Sequence, residues 1–319
     1  MRIRYTTAKG GKPVKKACVY TGNEHGIDPL LVDEDARRVI QRLRDNGHEA
    51  YIVGGAVRDL VMGKDPKDFD IATDATPNRI KRLFRNARII GRRFRLVHIF
   101  FGTKIFEVST FRSLAEGSIG NSFGTMDEDV QRRDFSCNAL YYEPGENIVV
   151  DYIGGLDDIR AGRLKPVIPR ERIFIEDPVR MLRAVKYSCR TGLKPSFFLK
   201  RQIRREAPLL EPVSPSRLTE ELLKIINSGK AEALVCDLRR MKLFRYLQPA
   251  SERLMNESAD FQKAYLASMV RLDQRRMFGS AIDVGHQRQG HQERDVLAHR
   301  QDAEHDRQNT DHDDGDPGD

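Results

Sequence analysis

The sequence has no tryptophan and only four cysteines, Cys18, Cys137, Cys189 and Cys236, which stand far apart with no paired spacing. That scatter argues against a zinc site and against a disulfide framework, and it suits a reducing compartment, so the protein reads as cytoplasmic. No apolar run approaches the ~18 residues that a membrane-spanning helix needs, which leaves no membrane partner. The first twenty residues carry six Lys or Arg and no acid. No apolar stretch follows to make a secretory signal, and residues 1–30 read as a basic N-terminal arm without fixed structure. From Gly285 onward the only aliphatics are Val296, Leu297, Ala298 and Ala303. So little apolar surface cannot offset conformational entropy, and residues 281–319 are expected to be a disordered tail. Five of the eight histidines fall in that tail, at spacings of 5, 8, 6 and 7 residues that suit no helical metal site.

Acid is also absent between Arg79 and Arg95, where eight basic residues occur: Arg79, Lys81, Arg82, Arg85, Arg88, Arg92, Arg93 and Arg95. A solvated helix face normally mixes signs, so this block, in a chain of net charge +8, points to a polyanionic partner. Arg92, Arg93 and Arg95 are the candidate RNA contacts, with Phe94 among them to stack a base.

Two motifs carry the chemistry. In Ile52-Val53-Gly54-Gly55-Ala56-Val57-Arg58 an apolar strand runs into two glycines. Their missing Cβ atoms let backbone N–H groups approach a polyphosphate, and Arg58 follows one helical turn later to meet phosphate oxygens. Asp68 and Asp70 then alternate along the next expected strand. Side chains at i and i+2 of a strand share a face, so the two carboxylates can bridge a pair of Mg²⁺ ions. Glu107 alternates with Phe106 and Val108 and is either a third acid at that site or an ordinary solvent-facing strand residue.

Periodicity predicts a helix over 33–45 with Ala36, Val39, Ile40 and Leu43 inward, and a short helix after Thr76-Pro77 that packs Ile80, Leu83 and Phe84. Strands over 95–101 and 104–111 should form a hairpin at Gly102-Thr103. Residues 113–125 read as a mobile loop. Beyond Gly154-Gly155 the pattern turns helical, over 178–190, 217–227, 231–247 and roughly 260–277. Strands followed by helices imply a sheet-based catalytic domain, 31–155, and a helical nucleotide-reading and RNA-binding domain, 156–280.

Five motifs occur in a telling order: Gly54 to Asp59, Asp68-Phe69-Asp70, Glu107 to Arg112, Arg132 to Leu140, and Glu176 to Ala184. The chain resembles the class II nucleotidyltransferases, which include the bacterial poly(A) polymerases and the CCA-adding tRNA nucleotidyltransferases, over roughly residues 35–250. The resemblance implies an α+β fold, a small mixed-sheet palm of the polymerase β type followed by an all-helical neck and body. It implies Asp68, Asp70 and Asp134 as the catalytic acids, with Glu107 an auxiliary metal ligand. Gly54, Gly55, Arg58 and Arg133 would bind the nucleotide, and Asp177, Arg180 and Arg183 would read its base. Two Mg²⁺ ions, ATP as substrate and RNA 3′ ends as acceptors follow from the same likeness. Family members usually continue into a longer basic helical region that grips RNA, whereas ordered sequence is expected to stop near Met277.

The base-reading helix can also be argued from its residues. Asp177 suits an N-cap and Pro178 the first helical position, and residues 177, 180 and 183 stay on one side, opposite Leu182, Val185 and Cys189. A carboxylate accepts from an exocyclic amine while a guanidinium donates to a ring nitrogen. That pattern matches adenine and cytosine and rejects guanine and uracil. Residues 89–99 resemble the signature of the poly(A) polymerases, as does Tyr141-Tyr142. The expected function is therefore template-independent addition of AMP to RNA 3′ ends. A CCA-adding enzyme and a catalytically silent RNA-binding protein are the alternatives.

Overall fold

The computed structural model describes residues 2–7, 13–91, 96–114 and 123–276. Nine strands, β1 (Arg2–Thr7), β2 (Pro13–Thr21), β3 (Ala50–Val53), β4 (Asp70–Thr73), β5 (Ala87–Ile90), β6 (Leu96–Phe101), β7 (Lys104–Thr110), β8 (Leu140–Glu143) and β9 (Ile148–Asp151), form one sheet. Its order is β1-β2-β9-β8-β3-β4-β7-β6-β5. Every neighbouring pair is antiparallel except β4 and β7, which run parallel with Ile71 opposite Val108. Helices α1 (Gly22–His25), α2 (Glu34–Asp45), α3 (Gly55–Val61), α4 (Pro77–Leu83) and α5 (Met126–Gln131) are interleaved with the strands.

Alternation along the strands gives the sheet two different faces. Ile52, Ile71, Val97, Ile99, Val108, Leu140 and Tyr142 belong to the large core, which α2 seals with Ala36, Val39, Ile40 and Leu43. The opposite set, Tyr51, Val53, Ala72, Tyr141 and Val150, meets only a small cluster with Met126 and Val130 of α5. Asp70 shares the parity of Ala72, and Glu107 is out of phase with buried Phe106 and Val108. Both acids therefore rise from the lightly covered face.

After β9 the chain is helical apart from a two-residue parallel pair, Arg163–Leu164 with Lys194–Pro195: α6 (Gly155–Arg160), α7 (Arg170–Glu176), α8 (Val179–Thr191), α9 (Phe197–Glu206), α10 (Pro215–Ile226), α11 (Ala231–Arg240), α12 (Phe244–Leu247) and α13 (Pro249–Glu257). A last described helical stretch covers 259–276. Leu182, Leu199, Ile203, Leu234 and Phe244 join the same core as the large face of the sheet.

Three expectations need correction. The N-terminal basic arm is not a separate arm: β1 pairs with β2, and β2 pairs with β9 from Cys18 opposite Asp151 to Thr21 opposite Ile148. The run Ala17 to Tyr20 is buried throughout, and this apolar content outweighs the lysines before it. The basic block contains strand β5 as well as helix α4, because Ala87 and Ile89 alternate with Arg88 and Ile90 and let the strand pair with β6. The helix expected over 231–247 is two helices, broken where Lys242 takes a φ of 62°. The tail after 276 and Arg92, Arg93 and Arg95 lie outside the described residues.

Candidate active site

The turn from β3 into α3 is set by Gly54, whose φ of 71° and ψ of −130° are strained for any side chain. A Cβ built there would stand 3.7 Å from Arg133 Nη1 and 3.9 Å from Asp70 Oδ2. The space a methyl would fill is thus the space between a cation and a carboxylate. Asp70 opens β4, Asp68 lies just before that strand, and the register of β4 with β7 sets Asp70 level with Glu107. Asp70 is exposed to solvent along one side, yet protein crowds the rest of its carboxylate. That burial, and then the charges of Glu107 and Asp68, push its pKa up to about 6, against the pull of Arg133. Three acids of one sign are therefore held close enough to repel, and a cation would relieve the strain. Among the described residues no three His, Cys, Asp or Glu converge into a ready-made ligand cage. Asp68, Asp70 and Glu107 are all exposed, so this acid mouth lies open to solvent.

Arg133 is fixed by Asp129, which motif reading did not single out, and by Tyr141 and Asn138, which it did. Its Nη2 donates to Asp129 Oδ2 at 2.9 Å and its Nε to the Tyr141 hydroxyl at 2.9 Å, while its guanidinium lies 4.8 Å over the Tyr141 ring. Nη1 donates to the Asn138 carbonyl. Asp129 is 2% exposed and also accepts from Arg112 Nε and the Tyr141 hydroxyl. Burial alone would raise its pKa, but Arg133, Arg112 and the Tyr141 hydrogen bond prevail and hold it at about 2. The i, i+4 spacing of Asp129 and Arg133 was the signal available in the sequence.

The other expected residues stand as follows. Gly55 lies against the Arg58 guanidinium. Arg58 is buried, with Nη1 donating to Asn138 Oδ1 at 2.8 Å and Nε and Nη2 to Asp59. Asp134 does not share contacts with the acid mouth. Its Oδ1 accepts from Phe135 N and Asn138 Nδ2, and its Oδ2 lies 2.8 Å from Arg183 Nε as an ion pair without hydrogen-bond alignment. Arg183 Nη2 donates to the Tyr187 hydroxyl, and both Arg58 and Arg183 lie over the Tyr187 ring, at 5.4 and 5.6 Å. At the start of α8, Asp177 Oδ1 accepts from Val179 N and Oδ2 from Arg217 Nη2 at 2.6 Å. Arg180 donates to Glu176 and to the carbonyls of Ile173 and Arg132. The presumptive base readers are thus already paired within the protein.

The Gly54 turn, the half-buried Arg133 and the acids Asp68, Asp70 and Glu107 sit in a chain that resembles known proteins. Residues 50–165 match the family model of the poly A polymerase head domain, and residues 195–255 match that of the probable RNA and SrmB-binding site of polymerase A. Poly(A) polymerase I of Salmonella typhi is 42% identical over 253 residues, covering 74% of this chain and 54% of that protein. The chain belongs to the class II nucleotidyltransferase family. A CCA-adding enzyme of Staphylococcus aureus is 32% identical over 231 residues, covering 70% of this chain and 57% of that protein. The crystal structure of Bacillus stearothermophilus CCA-adding enzyme in complex with CTP superposes with a TM-score of 0.57 at 34% identity, over 65% of this chain and 51% of that one. The fold is accordingly the α+β one expected, with a palm of the polymerase β type. The chain spans about half the length of the curated relatives it matches.

Proposed function

We propose that this protein is a polynucleotide adenylyltransferase acting on RNA 3′ ends in the cytoplasm, with the nine-stranded sheet and its helices, up to residue 155, as its catalytic unit and 156–280 as its reading and RNA-binding unit. The observation that carries this reading is the 42% identity to poly(A) polymerase I, against 32% and 34% to the two CCA-adding enzymes. The ribose 3′-oxygen of the RNA forms a bond to the α-phosphorus of ATP, the bond to the bridging oxygen breaks, and pyrophosphate leaves while the hydroxyl proton passes to solvent. Asp68 and Asp70, with Glu107 beside them, are the residues that would hold two Mg²⁺ ions. Bound by these carboxylates, such ions would supply a lowered pKa for the attacking hydroxyl and charge neutralisation for the leaving phosphates. The Gly54 turn leaves room for the triphosphate, and Arg133, held by Asp129 and Tyr141, offers it a fixed positive charge. Asp177, Arg180 and Arg183 would read the base, and Asp134 would act by holding Arg183.

The test is incubation of purified protein with a short oligo(A) primer and, separately, with tRNA lacking its CCA end, each nucleoside triphosphate being supplied alone. Long tails made only with ATP are expected. Addition of three nucleotides confined to tRNA would assign the chain to CCA synthesis instead, and no incorporation on either acceptor would leave a binding protein.

A further inference from the structure

Far from the acid mouth in sequence, α7 and α9 enclose a groove of about 440 Å³ lined by Arg170, Glu171, Phe198, Arg201, Gln202 and Arg205. The helix sequence Phe197-Phe198-Leu199-Lys200-Arg201-Gln202-Ile203-Arg204-Arg205 explains its chemistry. Leu199, Gln202 and Ile203 face inward, so Phe197, Phe198, Arg201 and Arg205 are turned to solvent. Phe197 and Phe198 are 71% and 64% exposed and meet edge to face at 5.8 Å. Single exposed apolar residues need no explanation, but two adjacent phenyl rings under an arginine do. The Arg170 guanidinium lies 5.7 Å over the Phe198 ring. Neither Arg170 nor Arg201 has an ion pair with an acid among the described residues, whereas Arg205 is paired with Glu206. Gln202 Nε2 donates to the Arg170 carbonyl and ties the two helices together. From Arg170, α7 runs straight to Asp177, a rise of roughly 10 Å at 1.5 Å per residue.

We propose that this groove holds single-stranded RNA upstream of the reacting 3′ end, with Phe197 and Phe198 as stacking platforms for bases and Arg170 and Arg201 as phosphate contacts. Aromatic faces beside unpaired guanidinium groups suit a chain of bases on a polyanionic backbone, and stacking accepts any base. An acidic protein segment would use the arginines but gain little from two rings placed edge to face. The inference rests on the proposed adenylyl transfer for what the RNA is doing there, not for whether it binds. It goes beyond the family description by naming the surface and the type of contact.

The test measures equilibrium binding of labelled oligo(A) of about 15 and about 4 nucleotides, lengths at the two ends of the usual site size. Proteins compared are the full chain, Phe197→Ala with Phe198→Ala, and Arg170→Ala with Arg201→Ala. All six-atom rings and guanidinium groups removed are at the surface, and melting curves should coincide. The phenylalanine pair should weaken the longer RNA roughly tenfold or more and the shorter one much less. The arginine pair should reduce the slope of log Kd against log salt by about 1.4, since each phosphate contact on a single strand contributes ~0.7. Wild-type affinity and salt slope in both variants, or no RNA binding by the wild type, would overturn the groove assignment. RNA binding that depends on these residues in a protein that transfers no nucleotide would instead leave the groove standing and remove the proposed activity.

Discussion

Asp70 on β4 and Asp129 on α5, the helix that covers that face of the sheet, are shifted in opposite directions, and each gives a test. Asp70→Asn should lower nucleotide transfer at least about 100-fold, the ~3 kcal/mol expected for a lost metal-borne contact in the transition state. A single-turnover assay retaining more than about a tenth of the rate would contradict that role. The Asp70 carboxyl has an ordinary value of 3.8 and is pushed up to about 6 by burial, Glu107 and Asp68. The folded chain thus binds this proton more tightly than the unfolded chain. In EDTA the wild type should lose stability as pH rises from about 4 through about 6, and Asp70→Asn should flatten that part of the melting profile. Asp129, held at about 2 despite its burial, works the other way. Its contribution, on the order of 2 kcal/mol, is present above pH about 4 and disappears as pH falls through about 2. Asp129→Ala should cost about 3 kcal/mol or more in urea unfolding, because Arg133 would remain buried without its counter-ion. Asp70 and Glu107 were marked in the sequence by strand alternation and motif order, Asp68 and Arg133 by motif order alone, because β4 begins only at Asp70. The contacts that support them were not, because Arg112, Asp129 and Tyr141 meet only after the sheet has formed.

Among the elements, the junction of β9 and α6 depends on one glycine. Asp151 receives the amides of Ile153, Gly154, Gly155 and Leu156. A Cβ on Gly155 would lie 2.2 Å from the Ser136 carbonyl oxygen, a backbone atom that cannot swing away. Gly155→Ala should therefore destabilise the protein by roughly 1–3 kcal/mol, read as a lower urea midpoint with unchanged slope. In α8, Arg180→Ala should loosen the choice of ATP over GTP and UTP with little change in melting temperature. Asp177→Ala should do the same and lose about 1 kcal/mol from the missing cap on Val179. Full discrimination in either variant, measured by competing triphosphates, would remove the edge-reading role. Amphipathic helices such as α2 were legible because their apolar stripes are unambiguous. Strand β5 was not, because its four residues include one arginine and follow a helix rich in the same charge.

For the molecule as a whole, the sheet order makes β2 the neighbour of β9, so the first strands of the chain join the last strand of the sheet. Removing residues 1–21 should expose the β9 edge together with the surfaces covered by Ala17 to Tyr20, giving a chain that aggregates or melts well below the intact one. Coincident melting curves would show that the first two strands are dispensable. The sequence betrayed the order of a strand-rich half and a helical half, while the pairing of residue 18 with residue 151 is a long-range contact that no local pattern encodes. Asp177 is bound to Arg217, and Arg180 to Glu176, before any nucleotide arrives. An incoming base must compete with the protein's own charges for the groups that recognise it. Salt weakens those partly exposed ion pairs while also screening the triphosphate from Arg133. Ionic strength should therefore raise the KM for ATP through the phosphates, yet leave the part of binding that distinguishes one base from another intact or improved.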